Sequence, residues 1–360
     1  MSSNKTLYKD LIAFHPGSYV EDIVEDLNIT QKEFAKRLDA TPKSISRLIN
    51  GEEKLSDELA MKLSKLTGMS LETWLNLQKK YDAKILEIKE KELEEEEEEI
   101  CRQIDFKYFK NLKLVEDRRF KINEKIEFLR SLLNISSLTY LTKLNPGISF
   151  RNTSQFNDTS VINANILLEI ASNLARNKTD TKLNKRKLER FLPEIKKMTL
   201  MDYQDFSGVL EEKLLECGVI LVALPSLKNA QINGATKRFI NGSVLLMITD
   251  RNKDSDIFWF SLVHEIGHIL SSDFYDNDLS NEEYQEKEKR ADDFAKSFFI
   301  EDDAYESFLA SKDFTKEALI AFSKESSIDP SILLGRLQKE DIVPYGTYEE
   351  LKRRYSININ

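Results

Sequence analysis

With 360 residues, the chain is too long for one compact core, and its 41% hydrophobic and 32% charged content suits two or three globular domains. A formal charge of −9 excludes a polycation that coats nucleic acid, so any DNA contact has to come from a local patch. Two distant cysteines, Cys101 and Cys217, exclude a disulfide framework and a zinc ribbon and point to a reducing compartment.

The N-terminal stretch MSSNKTLYKDLIAFHPGSYV lacks the apolar run of a secretory signal. Apolar runs elsewhere, such as CGVILVAL, fall well short of the roughly 20 residues that span a bilayer. The expectation is a cytoplasmic protein with no membrane partner.

Residues 18–80 read as short helices, with apolar positions such as Val20, Val24, Phe34, Leu38, Ile45, Leu48 and Ile49 at helical spacing. Thr30, Thr41 before Pro42, Ser56 and Ser70 are placed as N-caps, and Thr30 with Glu33 fits a capping box. A helix over 30–38, a tight turn at Asp39-Ala40-Thr41 and a second helix over 42–50 ended by Gly51 make a helix-turn-helix, assigned to an all-α DNA-binding domain over 1–82. The second helix carries Lys43, Ser44, Ser46 and Arg47 on its exposed side and no acid. Arg47 suits guanine, Lys43 a base or a phosphate, and Gln31 a phosphate at the start of the first helix. Asp22, Glu25, Asp26, Glu52 and Glu53 oppose these cations, so useful binding to an operator in double-stranded DNA calls for a homodimer.

Residues 83–104, with the run KEKELEEEEEEI, read as a charged helical linker whose Leu86, Leu93 and Ile100 recur every seven residues and rest one thin stripe on something else. Residues 105–204 read as a helical connecting region, broken at Asn145-Pro146-Gly147. After Gly218 the texture becomes β in VILVAL, GATKRFI and VLLMITD, with the hairpin signal Asn241-Gly242 between the last two. GATKRFI is also a candidate edge strand for an extended peptide. The fold class is therefore mainly α with a small antiparallel β-sheet, an α+β arrangement.

The segment DSDIFWFSLVHEIGHILSS predicts one buried helix started by Asp254 or Ser255. His264 and His268 sit four residues apart, which puts both imidazoles on one face at a spacing that suits two ligands of one Zn2+. Glu265 points to a neighbouring direction, where a general base for water activation belongs. Only three histidines exist, and His15 lies outside this unit, so a carboxylate is expected as third ligand: Glu288, Glu286 or Asp292 of EYQEKEKRADDFAKSFFI.

These residues resemble the ImmA/IrrE metallopeptidases. The resemblance is carried by RNKDSDIFWFSLVHEIGHIL, by the pattern Glu288, Ala291, Asp292, Phe294, Ala295, and by the tail SIDPSILLGRLQKEDIVPYGTYEELKRRY, which is similar to members fused to an XRE-type, HigA-antitoxin-like helix-turn-helix. It covers residues 18–80 and about 205–355. It implies a zincin-like, gluzincin-type metalloendopeptidase domain over 205–360, with His264, His268 and Glu288 as metal ligands and Glu265 as catalytic base. It also implies a protein substrate such as a transcriptional repressor or toxin–antitoxin partner. The acidic stretch SFFIEDDAYE departs from the family's usual small apolar residue or proline at that point. Tyr284, Tyr305 and Arg238 are the candidates for stabilising an oxyanion. The alternative expectation is a HigA-type antitoxin or transcriptional repressor whose metal site is structural or vestigial.

Overall fold

The chain opens with an unexpected hairpin, β1 (Lys5–Tyr8) against β2 (Leu11–Phe14), which turns through Lys9 in the left-handed region at φ 51°. The structure, a computed structural model, describes residues 4–143, 158–274 and 281–357. It divides into two compact units, Met1–Glu97 and Glu98–Asn360.

In the first unit the hairpin leads into α1 (Pro16–Asp26), α2 (Gln31–Arg37), α3 (Pro42–Ile49), α4 (Asp57–Thr67) and the start of α5 (Leu71–Arg102). Each start has a physical cause. The Thr30, Thr41 and Ser56 hydroxyl oxygens accept from the amides of Glu33, Ser44 and Leu59, each satisfying one N–H that the helix cannot. The box expected at Thr30 is half formed, because the Glu33 carboxylate accepts from Arg37 at 2.8 Å. His15 caps α1: its buried Nδ1 accepts from the Gly17 amide at 3.0 Å, and burial lowers its pKa, favouring the neutral ring that an acceptor needs. The apolar stripes of α1 to α4 close with Trp74 over one core.

The acidic stretch belongs to α5, and its heptad is used only in part, since Ile100 is buried in a core and Leu93 is half-buried. Leu86 is 66% exposed, whereas Ile88 is 3% exposed and packs with Ile85 and Tyr81 against Leu11, Ala13 and Tyr8 of the hairpin. The stripe thus follows the 3.6-residue period of a straight helix rather than a seven-residue one.

The second unit begins with α6 (Lys107–Asn111), α7 (Ile122–Leu133) and a short 3-10 turn, followed by α8 (Asp158–Ala175), α9 (Lys185–Met198) and α10 (Tyr203–Glu216). The break expected at Asn145-Pro146-Gly147 lies outside the described residues. Then come β3 (Val219–Leu224), β4 (Gly234–Arg238) and β5 (Val244–Thr249), and the helices α11 (Ser255–Ser271), α12 (Asn281–Phe299), α13 (Asp302–Ser311), α14 (Lys316–Glu325) and α15 (Pro330–Lys339).

The fold is mainly helical with small sheets, as expected, but this sheet is mixed. After β3 the chain crosses to the far edge as β4, then hairpins back through Asn241-Gly242, so β5 lies in the middle, antiparallel to β4 and parallel to β3. The Asn-Gly signal reports only the second pairing. Both faces of the sheet are covered. Val219, Leu221, Val244, Leu246 and Ile248 join a core with α9, α10, α11 and α15, while Ile220, Val222, Leu224, Leu245 and Met247 join a second core with α7 and α8. Continuous apolar strands are what such a two-sided burial requires. The division expected at 204/205 falls within the first turn of α10, whose buried residues share one cluster with those of α9. Among the described residues, no helix is long and apolar enough to cross a membrane.

Packing of the hairpin on α5 makes opposite demands of two neighbouring residues. Ile88→Ala is expected to cost about 2 kcal/mol or more in local opening of the hairpin, and Leu86→Ala less than about 0.5 kcal/mol. Amide hydrogen exchange of Leu7 and Ala13 measures both, and equal protection in the two variants would contradict the assignment.

Candidate functional site

α11 starts at N-cap Asp254 and is buried along most of its length. Its apolar faces sit under β4 and β5 on one side and against α12 and α15 on others. That burial carries His264, Glu265 and His268 inside, at 1%, 2% and 0% exposure, so each needs a polar partner.

Small residues let α12 supply one. A Cβ at Gly267 would meet Phe294 Cδ1 at 3.1 Å and the Ala291 Cα at 3.3 Å, tighter than ordinary contact, so any side chain there would push on α12. Ala291 and Ala295 are buried at the crossing. One turn before Ala291, Glu288 then faces both imidazoles: Oε1 lies 3.2 Å from His268 Nε2, and Oε2 lies 3.4 Å from His264 Nε2. The two Nε2 atoms are 3.0 Å apart. Burial by itself would raise the pKa of Glu288, but hydrogen bonds from His264 and His268 outweigh it and hold the carboxyl well below the usual range.

One ligand atom from each of His264, His268 and Glu288 lies within 4.8 Å of the others, so the three can hold a metal ion. A tetrahedral ion with bonds of about 2.1 Å has ligand-to-ligand edges of about 3.4 Å. The two Nε2 atoms are 3.0 Å apart, and Glu288 sets Oε1 3.2 Å from one and Oε2 3.4 Å from the other, close to that edge length. Two imidazoles and a carboxylate are also a donor set that leaves a corner for water or substrate.

The other carboxylates divide the remaining work. Asp292 Oδ1 lies 2.8 Å from His264 Nδ1, behind the ring, where it fixes the tautomer and turns Nε2 toward the group. Glu286 is exposed on the outer side of α12. Asp273, just past α11, receives a bidentate Arg290 at 2.9 Å and ties the helix ends together. Glu265 points elsewhere. Gly234 of β4 lies against it, and a Cβ there would fall 2.8 Å from Glu265 Cγ and 3.0 Å from Oε1. β4 is an edge of its sheet, as expected for GATKRFI.

Of the three oxyanion candidates, Tyr305 donates to Glu340 at 2.6 Å under the Arg336 guanidinium and is spoken for. Arg238 lies exposed over the Phe274 ring, and Tyr284 packs against the core on the α8 face of the sheet.

In the other unit, α2 and α3 cross at the fully buried Phe34 and Ala35. Asp39 makes the turn at φ 49°, and its carbonyl accepts from Lys62 at 2.7 Å. Ile45, Leu48 and Ile49 fill the core, which leaves Lys43, Ser44, Ser46 and Arg47 outside it, with Gln31 exposed at the first position of α2. Arg47 is held by Glu53 at 2.7 Å and more loosely by Glu52 at 3.7 Å. Both pairs are exposed, and such pairs are worth at most about 1 kcal/mol, so the guanidinium is easily released.

The Gly267 contact gives a direct test of the metal group. Gly267→Val forces α11 and α12 apart, and zinc retained after dialysis is expected to fall at least about tenfold with the helix content intact. Full retention would show that the crossing does not set the ligand geometry.

Residues 20–74 match the helix-turn-helix family. No ImmA/IrrE family model matches the chain. The HTH-type transcriptional regulator YddM of Escherichia coli is 40% identical over 63 residues, 18% of this chain and 67% of that protein. Virulence-associated protein A' of Dichelobacter nodosus is 44% identical over 69 residues, 19% of this chain and 60% of that protein, so the chain spans less than two thirds of it. Among solved structures, an addiction module antidote protein of a HigA family from Coxiella burnetii is 30% identical, covering 23% of this chain and 94% of that one, with a TM-score of 0.22. Through its N-terminal part, the chain belongs to the helix-turn-helix family.

Proposed function

We propose that the chain is a DNA-binding, zinc-dependent endopeptidase of the ImmA/IrrE type that cleaves a regulatory protein such as a transcriptional repressor. In this reading residues 1–82 bind an operator, and residues 205–360 hydrolyse, buttressed by 105–204. The observation that carries it is the His264–His268–Glu288 group, with Glu265 next to His264 on α11 and against an edge strand.

His264, His268 and Glu288 would hold the ion. Bound there, zinc supplies a Lewis acid that polarises the scissile carbonyl and brings the pKa of a water toward about 7. Glu265 takes the water proton and returns it to the leaving amine. Asp292 keeps His264 in the tautomer that presents Nε2. β4 offers its free edge to an extended substrate, and Gly234 leaves room for Glu265 at that edge. A purely structural zinc site would have four protein ligands and no need of a base.

A second reading, a HigA-type antitoxin or transcriptional repressor with a structural metal site, draws on the similarity to the regulator YddM. Glu265 separates the two. Glu265→Gln is expected to keep the metal and lower cleavage of the repressor substrate, sought among co-encoded proteins, by about 10²–10⁴. Unchanged cleavage in this variant would remove Glu265 from the chemistry, and no cleavage by the wild type would favour the second reading. His264→Ala is expected to lose the metal, read by elemental analysis.

For the DNA-binding part, Arg47→Ala is expected to relax the preference at one base pair by about 1–3 kcal/mol, read from operator variants in a gel-shift series. The same ranking of operator variants before and after substitution would take Arg47 away from the bases.

A further inference from the structure

A cavity of about 740 Å³ borders the metal group. Two of its lining residues place it there: Asn233 adjoins Gly234, which lies against Glu265, and Phe260 is one turn before His264 with the two rings 6.5 Å apart. From that border it runs along the first turns of α11, with the end of α12 and α15 as its other walls. The volume is within the range of about 300–1,000 Å³ typical of ligand pockets.

Most of the wall open to the cavity is apolar. α11 supplies the part nearest the metal group. In the first half of that helix Phe258, Trp259, Leu262 and Val263 are buried, whereas Ile257 and Phe260 keep part of their surface open, and both line the cavity. Ile257, Phe260 and His264 are spaced three and four residues apart, so they share one face of the helix, and the apolar pair leads straight to an imidazole of the metal group. Ile332 of α15 and Tyr345 beyond it add to the apolar wall.

The charged groups on the lining offer no net field, because carboxylates and cations are equal in number. Lys352 lies 3.7 Å from Asp256, and Arg336 Nε lies 3.1 Å from Glu340 with its guanidinium stacked on the Tyr305 ring at 3.5 Å. Lys339 Nζ sits 5.1 Å over the Phe260 ring. A lysine or glutamate side chain entering here would give up water for a wall with no excess charge to receive it. A hydrocarbon or aromatic side chain has no such cost, and it would cover the open surface of Ile257 and Phe260.

β4 joins the cavity to the metal group. A chain laid along its outer edge passes Glu265 at Gly234, and the residue before Gly234 is Asn233, on the cavity lining.

We propose that this cavity takes a large apolar side chain, aliphatic or aromatic, of the polypeptide substrate, next to the bond that is cut. The assignment to a polypeptide rests on the peptidase reading above; the apolar preference rests on the wall alone.

The test uses the full chain with Glu265→Gln, loaded with zinc, and five capped pentapeptides with Leu, Phe, Ala, Lys or Glu at the centre of an alanine frame. Calorimetric titration is expected to show the Leu and Phe peptides bound about tenfold tighter than the Ala, Lys and Glu peptides. Ile257→Ser and Phe260→Ser, each made in that background and checked for zinc content and thermal melting, are expected to cut this preference to less than about threefold, and Ile257→Leu to keep it. Equal affinities, no binding, a Lys or Glu peptide bound tightest, or a preference that survives both serine variants would overturn the proposal. N-acetylleucine amide bound as tightly as the Leu peptide would replace the polypeptide with a free apolar ligand as the occupant. Cleavage by the wild-type protein is scored separately: an apolar preference without hydrolysis keeps the pocket and removes the peptidase, and hydrolysis without the preference does the reverse.

Discussion

The close crossing of α11 and α12 is the constraint on which the rest of this molecule depends. A glycine hydrogen on one helix faces alanine and phenylalanine on the other, and a methyl at position 267 would already crowd both. That approach brings a carboxylate from α12 to two imidazoles buried on α11. Without it, three polar groups would sit in an apolar interior at a cost of several kcal/mol. The Asp273–Arg290 fork closes the same junction just past the end of α11, so the geometry is held both at Gly267 and beyond the last turn of that helix.

How much of this could be read beforehand varies with the kind of signal. Caps are local, and Thr30, Thr41 and Ser56 start the helices they were placed on. The pairing of His264 with His268 is a property of one helix. The third member is not: Glu286, Glu288 and Asp292 are all plausible from spacing alone, and only the crossing at Gly267 separates a group facing Nε2 from one behind Nδ1 and one in solvent. Three features escaped. The N-terminal hairpin was present as two four-residue β-rich runs, KTLY and LIAF, around Lys9-Asp10, but such short runs compete with loops. The stripe on α5 was masked by the heptad of Leu86, Leu93 and Ile100, whose first member is exposed. The parallel pairing of β3 with β5 is a long-range choice that no local turn reports.

The helix-turn-helix part shows a different economy. Its reading face carries few cations, and the one best suited to a base is held by two glutamates that follow it in the chain. On the proposed reading, such a surface has little non-specific hold on phosphate and gains its selectivity from a small number of directed contacts. That suits a protein whose overall charge is negative.

The two-sided burial of the central sheet has a further effect on how the molecule keeps its alignment. When one face of a sheet meets water, a slip of one residue is punished because polar side chains would turn inward. Here Val244, Leu246 and Ile248 could trade places with Leu245 and Met247 and every position would still be apolar. Hydrophobic patterning is therefore indifferent to where β5 stops. The bend before it is not: Asn241 accepts from the Ser243 amide and hydroxyl at 3.0 and 2.7 Å and donates to the Thr179 carbonyl at 3.0 Å. A polar knot at the surface thus sets the frame in which Gly234 sits opposite Ile248, and so fixes, from a distance, the floor on which Glu265 rests.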